Sequence, residues 1–207
     1  MSNSKAIRAR IKSTESSQKM TSAMQMIAAN KFKKAQDNAL ASRPYVHALT
    51  KVCHSLPQVK PREYKSVTLV LIATDRGLCG GLNLKLFKAV RAKIQGWKAQ
   101  NAKVELAVIG QKAQVFVQQQ QLDVIAHVHH LPVQASFEDL LGVFHVVFER
   151  YQNVETDALF LAYNHFESTM VHVPQVEKIL PFDAPEKSLQ NMTFEPGVQA
   201  VNKRVLR

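Results

Sequence analysis

Apolar positions are sparse from Ser4 to about Leu56, and from Ser66 onward they crowd into short dense runs, so the chain changes character between the two. The first stretch holds no glycine, and its only proline is Pro44. Ala23, Ala28, Ala29, Ala35, Ala39 and Ala41, with Lys, Arg, Gln and Met between them, are strong helix formers. The stretch therefore predicts one very long helix with a kink or restart at Pro44. Such a rod would run roughly 75 Å, more than a compact domain needs. Its apolar surface is thin: Ile7 and Ile11 share one side, while Met20, Met24 and Ile27 lie on another, so no wide stripe faces a single core. A helix this long and this polar requires a partner along its length.

Pro57 and Pro61 mark a linker over 57–64, and a folded α/β unit is expected over 65–194. Ser66–Ala73 is a nearly continuous β-branched and aliphatic run, the pattern of a strand covered on both faces. A glycine-rich turn, Thr74–Asn83, follows it, and then Leu86, Phe87, Val90, Ile94 and Trp97 recur at helical spacing. Val104–Ile109 before Gly110 predicts a second strand, Lys112–Gln119 a short helix and Leu122–Val128 a third strand. Ser136 with Asp139 three residues on starts the next helix as a capping box. Phe137, Leu140, Leu141, Phe144, Val147, Phe148 and Tyr151 are expected on its buried side. Ala158–Tyr163 is a fourth strand, and Thr169–Val173 and Val176–Leu180, around Pro174, are strands or extended edges. This alternation predicts an α/β fold: a mostly parallel, Rossmann-like sheet with helices on both faces, plus the long N-terminal helix. Glu195-Pro196-Gly197 breaks the chain, and Val198, Val201 and Val205 begin a further amphipathic helix over 195–207.

With 207 residues and 46% hydrophobic content, the chain can bury one globular core even if the first segment, 1–56, contributes little to it. Ten basic residues between Ser4 and Leu56 against Glu15 and Asp37 give 10 − 2 = +8 of the chain's +11, so the positive charge is concentrated on the rod. That points to acidic partners, whether nucleic acid, an anionic membrane surface or acidic protein patches. The longest apolar run, Val67–Ala73, is far short of a membrane span, and the N-terminus carries no hydrophobic signal core. Cys53 and Cys79 are isolated thiols without metal spacing or disulfide-scaffold density, which fits a reducing compartment.

The loop Asp75-Arg76-Gly77-Leu78-Cys79-Gly80-Gly81 lies between a strand and a helix, where phosphate-binding loops sit. It lacks the Gly-Lys-Ser/Thr ending of a P-loop and the G-x-G-x-x-G spacing, so it reads as a tight turn needing positive φ. His127, His129 and His130 stand at a strand end with no Asp, Glu or Cys at a ligand spacing, and read as a solvated end. No cofactor, metal or catalytic residue is expected. The rod lacks the aromatics of a single-strand stacking platform, which speaks against a nucleic-acid binder. A small α/β nucleotide- or phosphate-binding enzyme using the Asp75–Gly81 loop stays open as the alternative, with a basic nucleic-acid-binding protein as a third, weaker one.

Several motifs, in order along essentially the whole chain, resemble the gamma subunit family of F-type ATP synthase. They are Ala6-Ile7-Arg8 with Ile11 and Ser13; Gln18-Lys19-Met20-Thr21 running to Ala29; Ala41-Ser42-Arg43-Pro44-Tyr45; and Thr74 to Asn83. Ala107-Val108-Ile109-Gly110, Val173-Pro174 and Phe194-Glu195-Pro196 agree with it. The resemblance implies a central-stalk rotor subunit without a catalytic site of its own, coupling rotation of the membrane ring to ATP synthesis. Its first helix would be half of an antiparallel coiled coil inside the ring of alpha and beta subunits. Its α/β domain would sit at the foot with the epsilon subunit and the c ring. The location implied is peripheral, on the cytoplasmic face of a bacterial inner membrane, with contact to the membrane only through the complex and none to nucleic acid. Partner-binding residues expected on this basis are Ile7, Ile11, Lys19, Met20, Met24, Ile27, Lys31, Lys33, Lys34, Arg43, Asp75 and Arg76. The family's C-terminal helix is longer than the residues up to Arg207 supply, so the resemblance implies a chain without most of that helix, whether a fragment, a truncated product or a paralogue.

Because the glycine-rich loop has no P-loop lysine or hydroxyl, isothermal titration of the chain with ATP and magnesium is expected to show no stoichiometric binding. Micromolar binding that disappears in Arg76→Ala would restore the enzyme reading.

Overall fold

The computed structural model describes residues 2–55, 64–132 and 135–182. It divides into two units, Met1–Thr50 and Lys51–Arg207, each taken here by itself. The proposed linker over 57–64 lies almost wholly outside the described residues, and the helix expected over 195–207 lies entirely outside them.

Helix α1 spans Ser2–Ser55, 54 residues with Pro44 inside, and its assignment runs unbroken through that proline. Nearly every described side chain of α1 is exposed. Thr14, Thr21 and Thr50 turn their hydroxyls onto the carbonyl four residues back, at 2.8–2.9 Å, and Ser42 bonds the Ala39 carbonyl at 3.0 Å. A polar helix thus satisfies part of its side-chain chemistry on its own backbone.

The second unit is a five-stranded sheet in the order β3-β2-β1-β4-β5, with β1 Ser66–Ile72, β2 Lys103–Ile109, β3 Asp123–Val128, β4 Ala158–Phe166 and β5 His172–Leu180. β1 to β4 pair in parallel, and β5 closes one edge antiparallel to β4. Helices α2 Leu82–Ala99 and α3 Gln111–Gln119 cover one face, where Val67, Leu69, Leu71, Leu106 and Val108 meet Leu86, Val90, Ile94, Trp97, Phe116 and Val117. Helix α4, Leu141–Gln152, covers the other, where Val70, Ala107, Ile109 and Leu159 meet Val143 and Val147. Central strands covered on both faces become continuous apolar runs, which is why β1 and β2 read so plainly.

Two details differ from the sequence reading. The two extended segments around Pro174 are one edge strand, β5, with Pro174 opposite Asn164; an edge accommodates a residue without an N–H. Ser136 and Asp139 do form a reciprocal cap, with Ser136 N–H donating to Asp139 Oδ2 at 2.8 Å and Asp139 N–H to Ser136 Oγ at 3.3 Å, but what they open is a 3₁₀ turn, Glu138–Leu140. The register of α4 that follows buries Val143 and Val147 and half-buries Leu140, Phe144 and Tyr151. Phe137, Leu141 and Phe148, expected inside, are exposed.

Among the described residues of this unit one charged side chain is buried. Glu105, 5% exposed on β2, meets Lys103 at 2.7 Å and Arg150 of α4 at 2.8 Å, the latter as an ion pair rather than an aligned hydrogen bond; Arg150 also reaches Glu155 at 3.3 Å. The cluster fastens the end of α4 to the sheet. Arg150→Met should cost about 3 kcal/mol, the low end for breaking a buried pair because Lys103 still faces the carboxylate. Urea unfolding of the two proteins measures it, and a loss no larger than that of Glu149→Ala would make the cluster ornamental.

Candidate partner-binding surfaces

On α1 the expected partner residues are laid out by helical period alone. Ile7 and Ile11, each 52% exposed, border a shallow groove of about 300 Å³ with Arg10, Thr14, Glu15 and Gln18. Met20, Met24 and Ile27 stand more than half exposed on a different side. Lys19, Lys31, Lys33, Lys34 and Arg43 are exposed among them. The helix therefore offers two narrow apolar strips and a scatter of cations.

The loop between β1 and α2 is built quite differently. Ala73 continues β1 by donating to the Ile109 carbonyl at 2.9 Å, and Lys112 N–H donates to the Thr74 carbonyl at 3.0 Å, so the chain crosses directly over the start of α3. The crossing is possible because residue 110 is glycine: its φ is 100°, and a Cβ there would come within 2.2 Å of the Ala73 carbonyl oxygen. Beyond it, Asn83, nearly buried at the start of α2, donates to Thr74 Oγ1 at 2.7 Å and to Cys79 Sγ at 3.4 Å, while Thr74 Oγ1 donates to the Arg76 carbonyl at 2.6 Å. The loop is stapled at its base from within.

Asp75 staples it from without. Its carboxylate accepts the N–H groups of Gln111 at 2.9 Å, His130 at 3.1 Å and Leu131 at 3.1 Å, joining the loop to the first residue of α3 and to the turn after β3. A carboxylate at a helix N-terminus also faces the positive end of the backbone dipole. Partial burial works to raise the Asp75 pKa, but the three backbone donors and the neighbouring His130 outweigh it and hold the carboxyl below its ordinary value of 3.8. His130 itself turns at φ 58°, and its Nδ1 lies 2.9 Å from that of His129; among the described residues these imidazoles gather no third ligand for a metal.

What the staples leave outside is the tip. Arg76, Gly77, Leu78 and Gly80 are exposed, and Leu78 stands wholly in solvent at φ 61°, a conformation uncommon for a branched apolar residue. Lys112 lies against Gly77 with Cε 3.6 Å from where a Cβ would be, and Lys85 against Gly81 at 3.9 Å. The tip thus sets an exposed apolar side chain, Leu78, beside Arg76 and near the lysines of α2 and α3. Of the residues expected to bind partners, Asp75 and Arg76 lie in this loop, Asp75 turned inward and Arg76 exposed; the sequence pattern does not single out Leu78, Lys85 or Lys112, although an apolar residue between glycines marks the first. Cys79 is half-buried against Thr74 and Asn83, and Cys53, near the end of α1, has its thiol pKa raised by burial.

Asp75→Ala leaves three backbone donors without their acceptor and should destabilise the second unit by about 1–3 kcal/mol, with faster amide exchange at Gln111, His130 and Leu131. The pH dependence has a fixed sign. A carboxyl whose folded pKa lies below its unfolded one stabilises the fold above about pH 3.8 and loses that contribution as pH falls through the folded value. The difference in stability between wild type and Asp75→Ala should therefore shrink below pH 3.8, and a difference that grows there would contradict the assignment.

A family model for ATP synthase matches residues 3–207. The ATP synthase gamma chain of Nitrosococcus oceani is 39% identical over 222 residues, covering all of this chain and 77% of that one. Among solved structures, a chain from the central stalk and c ring of the Tetrahymena thermophila mitochondrial ATP synthase superposes with a TM-score of 0.66 at 20% identity, covering 90% of this chain and 85% of its own. A chain of the Euglena gracilis mitochondrial ATP synthase rotor gives 0.58 at 16% identity, covering 88% and 73%. At those identities the structures speak for the fold, and the sequence matches speak for descent. A family-model match over nearly the whole length and 39% identity to a gamma chain covered to 77% place this chain in the gamma-chain family of ATP synthase.

Proposed function

We propose that this chain is the central-stalk rotor subunit of a proton-translocating F-type ATP synthase, coupling rotation of the membrane ring to ATP synthesis carried out on other subunits. The observation that carries the reading is α1 in a gamma-family chain: a helix of 54 residues whose side chains stand exposed and which holds +8 of the chain's charge. A shaft that turns inside a stator must not be trapped at any one angle. Its surface should therefore lack deep apolar anchors, as α1 does with Ile7 and Ile11 on one side and Met20, Met24 and Ile27 on another.

In this reading the alpha and beta subunits surround α1, and a second helix lies along its apolar strips as an antiparallel coiled coil. Lys19, Lys31, Lys33, Lys34 and Arg43 meet acidic groups on the surrounding ring, each exposed pair worth roughly 0–1 kcal/mol, enough to bias an angle without fixing it. Arg76 presents charge to a neighbouring subunit from the loop tip, and Asp75 contributes by holding the loop in shape. The epsilon subunit and the c ring contact the second unit. The chain is peripheral, on the cytoplasmic face of a bacterial inner membrane, and no described helix is long and apolar enough to cross one.

Purification of the tagged chain from its native cells should bring alpha and beta subunits with it in stoichiometric amount. Within that complex, Lys31→Ala or Lys34→Ala alone should leave ATP synthesis by membrane vesicles within about fivefold of wild type, since each exposed pair contributes at most about 1 kcal/mol. Reversing Lys31, Lys33 and Lys34 together to Glu should lower it further than the single changes combined. A chain recovered without alpha and beta subunits, or one alanine substitution that abolishes synthesis while assembly is normal, would overturn the distributed-contact shaft.

A further inference from the structure

Three imidazoles gather where β3 ends: His127 within the strand, and His129 and His130 in the turn after it, all exposed. The rings of His127 and His129 stand 5.7 Å apart, centroid to centroid, and those of His129 and His130 4.6 Å apart at an interplanar angle of 82°. What distinguishes the second pair is that Nδ1 of one ring lies 2.9 Å from Nδ1 of the other. With both rings neutral, one of these nitrogens carries a hydrogen and the other accepts it. A straight hydrogen bond along both ring axes would hold the centroids about 5.2 Å apart, so at 4.6 Å the axes are bent.

The bent arrangement has the dimensions of a chelate. Two imidazole nitrogens held by one metal at about 2.05 Å and at right angles lie about 2.9 Å apart, with ring centroids about 4.5 Å apart; at a tetrahedral angle the two separations become about 3.3 and 5.2 Å. The observed 2.9 and 4.6 Å fit the right angle. Neighbouring positions at a right angle belong to square-planar and tetragonal complexes, the geometry of Cu(II) and Ni(II) with nitrogen ligands, and the general order of affinity puts Cu(II) first.

The backbone beneath the pair is already fixed. His130 sits at φ 58°, and the N–H groups of His130 and Leu131 both donate to the Asp75 carboxylate at 3.1 Å. That carboxylate pins the turn and sets a negative charge close enough to His130 for the two to interact electrostatically, which favours a cation on the ring. Among the described residues no group of three His, Cys, Asp or Glu is placed to hold a metal, so the pair supplies two positions and leaves the others to water.

We propose that His129 and His130 form a two-imidazole site for a divalent transition metal, Cu(II) in first place, bound through both Nδ1 atoms. On binding, the Nδ1 hydrogen of the donor ring moves to its Nε2, so that two neutral rings present two free lone pairs and no net proton is released. The site stands apart from the rotor reading, which gives these two residues no part.

The test titrates Cu(II), buffered by glycine at near-neutral pH, into the full chain and follows it by electron paramagnetic resonance, with Zn(II) compared by competition against a chromophoric chelator. The first equivalent of Cu(II) should give a tetragonal spectrum with two imidazole nitrogens and be held about tenfold or more tighter than Zn(II). His129→Gln or His130→Asn, the latter a residue that tolerates positive φ, should each leave one nitrogen. Each should also weaken binding by about tenfold or more, since losing even an outer-shell partner of a metal ligand costs that much. His127→Gln should leave the two-nitrogen spectrum unchanged. All three positions are exposed, so a circular dichroism spectrum matching wild type separates loss of a ligand from loss of the fold. No bound Cu(II), a first equivalent indifferent to both substitutions, a spectrum that loses a nitrogen in His127→Gln, or Zn(II) held as tightly as Cu(II) would overturn the proposal.

Discussion

A lone α-helix in water draws little stability from its own backbone hydrogen bonds, and most of what holds helices in proteins is the packing of an apolar face. α1 has 54 residues and nearly all of its described side chains exposed, so it obeys this constraint only through something outside itself. Its chemistry is suited to that dependence. The apolar residues are too few on any one side to form a core with a fixed partner at every level, and the cations between them make contacts that are long, flexible and weak. A helix laid against a globular core would show a single wide stripe, whereas α1 shows two narrow strips and distributed charge.

The second unit solves the opposite problem, holding a small element in one conformation. The Thr74–Asn83 loop could not keep Leu78 in solvent at positive φ by its own preferences, which run against that conformation for a branched side chain. It is held by Asp75 reaching to Gln111, His130 and Leu131, by Asn83 and Thr74 bonding across its base, and by a glycine at 110 that lets the chain pass. Every one of these ties is made to a rigid element or to a residue next to one. The Asp75 carboxylate spends three acceptor positions on shaping the loop, and the residues it displays at the tip are left facing solvent.

That division explains what the sequence made legible. β1 and β2 announce themselves because both faces are covered, and Leu86, Val90, Ile94 and Trp97 because one is, so that burial writes a period into the chain. α4 shows the limit of the same signal. Its apolar residues occupy too wide an arc for the period to choose a side, and the arc was read as one buried face when Val143 and Val147 are its centre and Phe137, Leu141 and Phe148 its far edge. The Asp75 ties span 36, 55 and 56 residues, and no local pattern encodes a hydrogen bond at that range. Lys85 and Lys112 reach the loop tip only because α2 and α3 lie on the same face of the sheet.

Charge is distributed in the same spirit as packing. The excess of positive charge sits on α1, while the second unit confines Glu105, the one buried carboxylate among its described residues, within a cluster of two cations. Placement decides what each charge costs: the exposed cations of α1 stay hydrated and need no partner to be tolerated, whereas the Glu105 carboxylate, taken out of water, would be costly without Lys103 and Arg150 beside it.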